Sequence, residues 1–215
     1  SEMCIRDSSL SWSNLPPRLA EDGIASLLFD FSGLGNSEGE RKELTLSQGI
    51  EDFRLIFDQL HNFDWIDFDR LGLMSSSFGA SVLLTCPDIA NKAKVLGFKS
   101  PCPFLPDAYL NEIGNEKLSD WVKTGFCEEN GYNISAYFDS FLHNIYEKAG
   151  GIETKCLITH GTQDEIVPFT QSIHLKEVLK GETELIEFKG GDHGYSGENW
   201  EKMAQIFVAF FKKNL

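Results

Sequence analysis

No run of about 18 apolar residues, the length a bilayer-crossing helix needs, occurs in this 215-residue sequence. Its first residues also lack the succession of basic, apolar and small-residue zones that marks a secretion signal. Basic side chains are scarce: 19 Lys and Arg stand against 33 Asp and Glu, a formal charge of -14. A field of that sign repels phosphate backbones and anionic bilayers, so neither a nucleic-acid partner nor a membrane partner is expected. The five cysteines, Cys4, Cys86, Cys102, Cys127 and Cys156, are odd in number and widely spaced. That pattern fits neither a disulfide framework nor a C-x-x-C metal site, and predicts buried, reduced thiols. There is no internal repeat and no low-complexity tract. These absences predict a soluble, cytoplasmic protein.

What is present suits one globular domain, with 41% hydrophobic and 24% charged residues. The segment Ile24 to Phe31 is almost continuously apolar until Asp30, as in a strand buried on both faces of a parallel sheet. A Gly-rich loop, SGLGNSEGE, follows. Thr45 with Gln48 three residues on resembles a capping box, and Ile50, Phe53, Phe57 and Leu60 recur at helical spacing. Further strands are expected at Arg70–Met74, Ala93–Phe98, Lys155–Thr159 and Glu184–Phe188. Helices are expected at Ala80–Leu84, ended by Pro87, and at about 170–179 and 199–212. Between Pro101 and Ile152 the chain turns polar and aromatic, which reads as a helical cap without sheet. Alternating strand and helix argue for an α/β fold with a mostly parallel sheet and right-handed crossovers.

Three segments carry chemistry. Leu71–Met74 runs into Ser75-Ser76-Ser77-Phe78-Gly79 and then a helix, the strand, turn and helix context of a nucleophile elbow, with Ser77 at its tip. Such a turn demands small residues two positions either side, and Ser75 and Gly79 supply them, although Ser75 stands where a glycine is usual. The bland alternative is that three serines cap the helix beginning near Phe78. After the strand ending at Thr159, the turn His160-Gly161-Thr162-Gln163-Asp164 places an acid at the sheet's C-terminal edge, where catalysts gather. Glu165 is the lesser candidate there, and an Asx-turn role is the alternative for Asp164. After the strand ending near Phe188, glycines flank His193, whose imidazole can accept and return a proton near neutral pH. His61, His143, His160 and His174 are assigned no catalytic role.

The order Ser, Asp, His, each after its own strand, is that of α/β hydrolases. The segments FDFSGLGNSEG, HGTQDEIVP and GDHGYS resemble those of small bacterial esterases in the α/β-hydrolase superfamily, and the likeness runs from about Leu15 to Leu215. Feruloyl or cinnamoyl esterases are the nearest subgroup. The resemblance implies structural roles for Asp30 and its neighbouring glycines, and a cap, 101–152, that sets acyl specificity. It also implies three earlier strands and an HG-containing oxyanion loop, none of which is visible. Residues 1–8 look like a non-native leader, and the expectation is an N-terminally truncated chain lacking the strand expected between the first two visible here: either those two pair directly, or Met3-Cys4-Ile5 makes a poor substitute, or the isolated chain folds badly.

The mechanism implied is hydrolysis of a small-molecule carboxylic ester without metal or organic cofactor. Ser77 acts as nucleophile, His193 as base, Asp164 as acid, and the backbone N–H of Phe78 as one oxyanion donor. The rivals are a serine peptidase or thioesterase on the same scaffold, and a catalytically impaired homologue. The sequence fixes neither the acyl specificity nor the oligomeric state.

Overall fold

The computed structural model describes residues 10–215, with side chains from residue 13 onward. Cys4, the leader 1–8 and the Met3-Cys4-Ile5 segment lie outside the described residues. The first described elements are α1 (Leu10–Glu21) and, after a long irregular stretch, α2 (Leu46–Gln59). Strand β1 (Gly72–Ser76) leads without a break into α3 (Ser77–Leu84). Pro87 follows at the first position of the short α4 (Pro87–Ala90), where its missing N–H has no bond to lose. Strand β2 (Val95–Pro101) comes next.

The cap stretch holds α5 (Leu105–Ile113), α6 (Leu118–Thr124), a minimal hairpin of β3 (Phe126–Cys127) and β4 (Tyr132–Asn133), α7 (Ile134–Ser140) and α8 (Ile145–Ala149). The hairpin corrects the expectation of a cap without sheet, since Phe126 pairs with Asn133 and Cys127 with Tyr132. The chain closes through β5 (Lys155–Gly161), α9 (Thr170–Val178), β6 (Thr183–Phe188) and α10 (Glu198–Asn214).

The main sheet has the order β1-β2-β5-β6, and every pair in it is parallel. Side chains alternate across it with the period of two that strands impose. Leu96, Phe98, Cys156 and Ile158 face α2, α3 and the cap, while Val95 and Leu157 face α1 and α10. At Gly97 a Cβ would lie 3.0 Å from the Phe207 ring, so the glycine lets α10 press its aromatics onto the strand. The register aligns Ser76 with Lys99 and Lys99 with Thr159, which brings the loops after β1, β5 and β6 to one edge of the sheet.

Two local expectations are met, the first only in part. Thr45 caps α2, its side chain accepting from the Gln48 N–H at 3.1 Å; the Gln48 amide, however, bonds Asp52 and leaves the reciprocal half of the box unmade. Asp30 braces its loop by accepting from the Asn36 N–H, and a Cβ on Gly35 would lie 2.2 Å from the Asp30 carboxylate.

The expected strand Ile24–Phe31 does not form. Residues 24–31 run without strand pairing, and Leu27 and Leu28 are 41% and 52% exposed. A strand exists only with a hydrogen-bonding neighbour, and a cavity of about 640 Å³ separates this stretch from β1. The cavity is bounded by Leu28, Phe31, Leu73, Ser75 and Phe78, but not by Ser77, Asp164 or His193. It is also lined by Ser76 and Gly79, on either side of Ser77.

Candidate active site

The chain passes from strand to helix across a single peptide bond at Ser76–Ser77. Ser77 takes a φ of 47°, a left-handed conformation that costs a non-glycine residue energy and persists only where its surroundings impose it. Ser76 occupies the N-cap of α3 but its side chain makes no capping bond, so helix capping does not account for the serines. Ser75 fits the first small position without collision, because a Cβ on Gly79 would meet the Ser75 Cβ at 3.8 Å, ordinary contact. The Ser75 hydroxyl is buried and has no hydrogen-bond partner.

Ser77 is fully buried, and its Oγ lies 3.1 Å from His193 Nε2. His193, 7% exposed, is held from behind: its Nδ1 lies 2.7 Å from Asp164 Oδ2. The loop carrying His193 is pinned by Tyr195, whose buried hydroxyl donates to Thr159 Oγ1, and by Ser100, whose hydroxyl donates to the His193 carbonyl. The sequence-expected serine, histidine and aspartate are thus brought into one hydrogen-bonded line, while Glu165 stays exposed on the turn. Phe78 stands in the first turn of α3, where a backbone N–H has no intrahelical acceptor.

Asp164 also fulfils the Asx-turn reading. Its Oδ1 accepts from the N–H groups of Ile166 and Val167 at 2.9 and 2.8 Å. Its Oδ2 meets His193 and also His160 Nε2 at 3.0 Å. A carboxylate offers about four lone-pair directions, and all of them are engaged. Burial alone would favour the neutral acid, but the hydrogen bonds from His160, His193 and Val167 outweigh it and hold the carboxyl well below the usual range. An ionised Asp164 fixes the proton of neutral His193 on Nδ1 and leaves Nε2 as the acceptor facing Ser77.

His160, assigned no catalytic role from the sequence, also reaches the acid, its Nε2 lying 3.0 Å from Asp164 Oδ2. It is fully buried at the end of β5, four residues before the acid, and the pair of a strand-terminal histidine and an acid in the next turn was the available signal. The other unassigned histidines lie elsewhere: His61 stacks on Phe68, His174 on Tyr146, and His143 Nε2 lies 2.8 Å from Ser47 Oγ. Cys86, Cys102, Cys127 and Cys156 are buried free thiols, and burial pushes Cys86 up to about 11. Among the described residues no group of three or more His, Cys, Asp or Glu side chains gathers as metal ligands would. No helix among them is long and apolar enough to cross a membrane.

A parallel sheet that presents a serine on a strand-to-helix turn, with a carboxylate and a histidine after later strands, is the architecture of an α/β hydrolase. More narrowly, the chain belongs to the prolyl oligopeptidase family, whose model matches residues 19–215. It is 28% identical over 184 residues to the mitochondrial palmitoyl-protein thioesterase ABHD10 of Pongo abelii, covering 80% of this chain and 58% of that protein. The chain therefore spans less than two thirds of the length of that relative. Among solved structures, the fold matches Est1E from Butyrivibrio proteoclasticus bound to ferulic acid, with a TM-score of 0.82 and 20% identity over 97% of this chain and 84% of the other. It also matches a monoacylglycerol lipase of Paleococcus ferrophilus, with a TM-score of 0.72 and 21% identity over 98% and 91%.

Proposed function

We propose that this chain is a serine hydrolase that cleaves a carboxylic ester through an acyl-enzyme formed on Ser77. The observation that carries the reading is the unbroken line from Ser77 Oγ through His193 to Asp164, with separations of 3.1 and 2.7 Å. His193 Nε2 takes the Ser77 proton as Oγ attacks the carbonyl carbon, and the resulting oxyanion accepts from the Phe78 N–H. Collapse expels the alcohol, which receives the proton from His193. A water, deprotonated by His193, then attacks the acyl-enzyme and releases the acid. Asp164 remains ionised throughout and stabilises the imidazolium of each half-reaction. The ionised chain is shielded from bulk water, which strengthens every electrostatic interaction within it.

The second reading is thioester hydrolysis, favoured by the identity to a palmitoyl-protein thioesterase over 80% of the chain. It uses the same steps with a thiol as leaving group. The test is turnover on p-nitrophenyl acetate and butyrate, an acyl thioester and an aminoacyl amide, each beside Ser77→Ala. Ester turnover lost in Ser77→Ala is expected. Ser77-dependent release from the thioester alone selects the second reading, and from the amide alone a peptidase.

A further inference from the structure

His160 shares the acid with the proposed base. Its Nε2 lies 3.0 Å from Asp164 Oδ2 and 3.0 Å from the Val167 carbonyl, and its Nδ1 lies 2.6 Å from Ser172 Oγ. A carbonyl oxygen and a carboxylate can only accept, so the Nε2 beside them carries a proton that it donates, while Ser172 Oγ holds the ring's other nitrogen. The ring has no freedom to exchange these roles: it is fully buried, its edge meets the Phe169 ring, and Ser172 is itself fully buried on α9.

We propose that His160 is a positioning residue of this site, a second imidazole that donates to the acid and limits how strongly the acid pulls on His193. The proposal rests on the triad reading above. Because Oδ1 is already held by two backbone N–H groups, Asp164 does not need His160 to stay in place. What His160 supplies is a competing donor on the one oxygen that also serves His193. A carboxylate oxygen that loses one of two donors concentrates its charge on the other, so removing His160 strengthens the bond to His193 and stabilises the imidazolium. The base then protonates at higher pH, and the acidic limb of the activity profile moves upward. Cys102, Tyr195 and Asp192 also adjoin the Asp164–His193 pair, and the Asp192 carboxyl, in spite of burial, is held below the usual range by its bonds from Ser196. The Cys102 thiol from the chain after β2 and the Tyr195 phenol from the β6–α10 loop are both pushed up by burial, and neither changes charge across that limb.

The test is the rate of fluorophosphonate labelling as a function of pH, for wild type, His160→Phe and His160→Gln, with folding checked by circular dichroism. Phe keeps the ring and removes the donor, whereas Gln restores an N–H toward Asp164 and Val167. The limb is expected to rise by about half a pH unit or more in His160→Phe, and to return in His160→Gln. A folded His160→Phe with an unmoved limb, or with a slower rate at every pH and no shift, overturns the proposal and leaves His160 a packing residue. Wild type that does not label at Ser77 fails the triad reading instead. If His160→Phe does not fold, nitrogen NMR of the wild-type histidines decides. A proton on Nε2 of neutral His160 supports the proposal, and a proton on Nδ1 overturns it.

Discussion

Asp164 accepts from four donors while buried, so its charge matters to stability as well as to chemistry. A carboxyl whose value is depressed in the folded state stabilises that state above its unfolded value and loses the contribution as pH falls through the folded one. Urea midpoints of the wild type should therefore drop steeply below about pH 4, and those of Asp164→Asn less so. Equal slopes would place the acid-sensitive group elsewhere. Ser75 makes the opposite prediction. Its buried hydroxyl is unpaired, and Ser75→Ala should raise stability by about 1 kcal/mol, seen as a melting temperature about 2–4 °C higher. At this scale the placement of Ser77, Asp164 and His193 together was legible because each follows its own strand and sits among small or turn-forming residues. The contacts of His160 were not, because its partners Val167 and Ser172 lie on a turn and a helix whose approach only the fold creates.

Elements whose signal is local were the most legible. Residues 46–59 and 198–214 form helices because their apolar spacing, and at Thr45 the cap, say so without help from the rest of the chain. The run 24–31 misled because apolarity encodes burial but not a partner, and a strand needs both. The hairpin of β3 and β4 escaped because two residues a side are too few for periodicity. Pro16 and Pro17, which remove two donors, hid α1, yet Leu15 and Leu19 still bury it against α10. Among the polar ties between cap and body, Asp139 at the end of α7 accepts both the N–H and the hydroxyl of Ser47 in the first turn of α2. An anion at a helix N-terminus is favourable, and here it bridges two elements. Asp139→Ala should speed proteolytic cleavage within 101–152 several-fold while leaving the sheet protected, as limited proteolysis with mass mapping would show. Unchanged cleavage would mean that the remaining ties, such as Arg41 to Tyr132 and Gln171 to Phe104, hold the cap without it.

For the molecule as a whole, the outer edge of β1 is unpaired among the described residues and opens on a largely apolar cavity of about 640 Å³. An exposed strand edge beside apolar surface invites pairing and dye binding. The chain should bind 1-anilinonaphthalene-8-sulfonate while folded and associate as its concentration rises. A strictly monomeric, dye-silent protein would show that the edge is covered. The charge of -14 opposes that association at low salt, so added salt should promote it. β2 and β5 are buried on both faces, whereas β1, which leads into Ser77, forms the open edge of the sheet. Asp164 and His193 follow β5 and β6 on the side of the sheet away from that edge, and Ser77 follows the edge strand itself. The central claim is that Ser77 is a nucleophile activated by His193 and Asp164, and the most direct test is intact and peptide mass after exposure to a fluorophosphonate. The account predicts one adduct, mapped to Ser77, absent in Ser77→Ala and formed far more slowly in His193→Ala and Asp164→Asn, about a thousandfold or more. A folded wild type that forms no adduct, or forms it equally fast without His193, would contradict it.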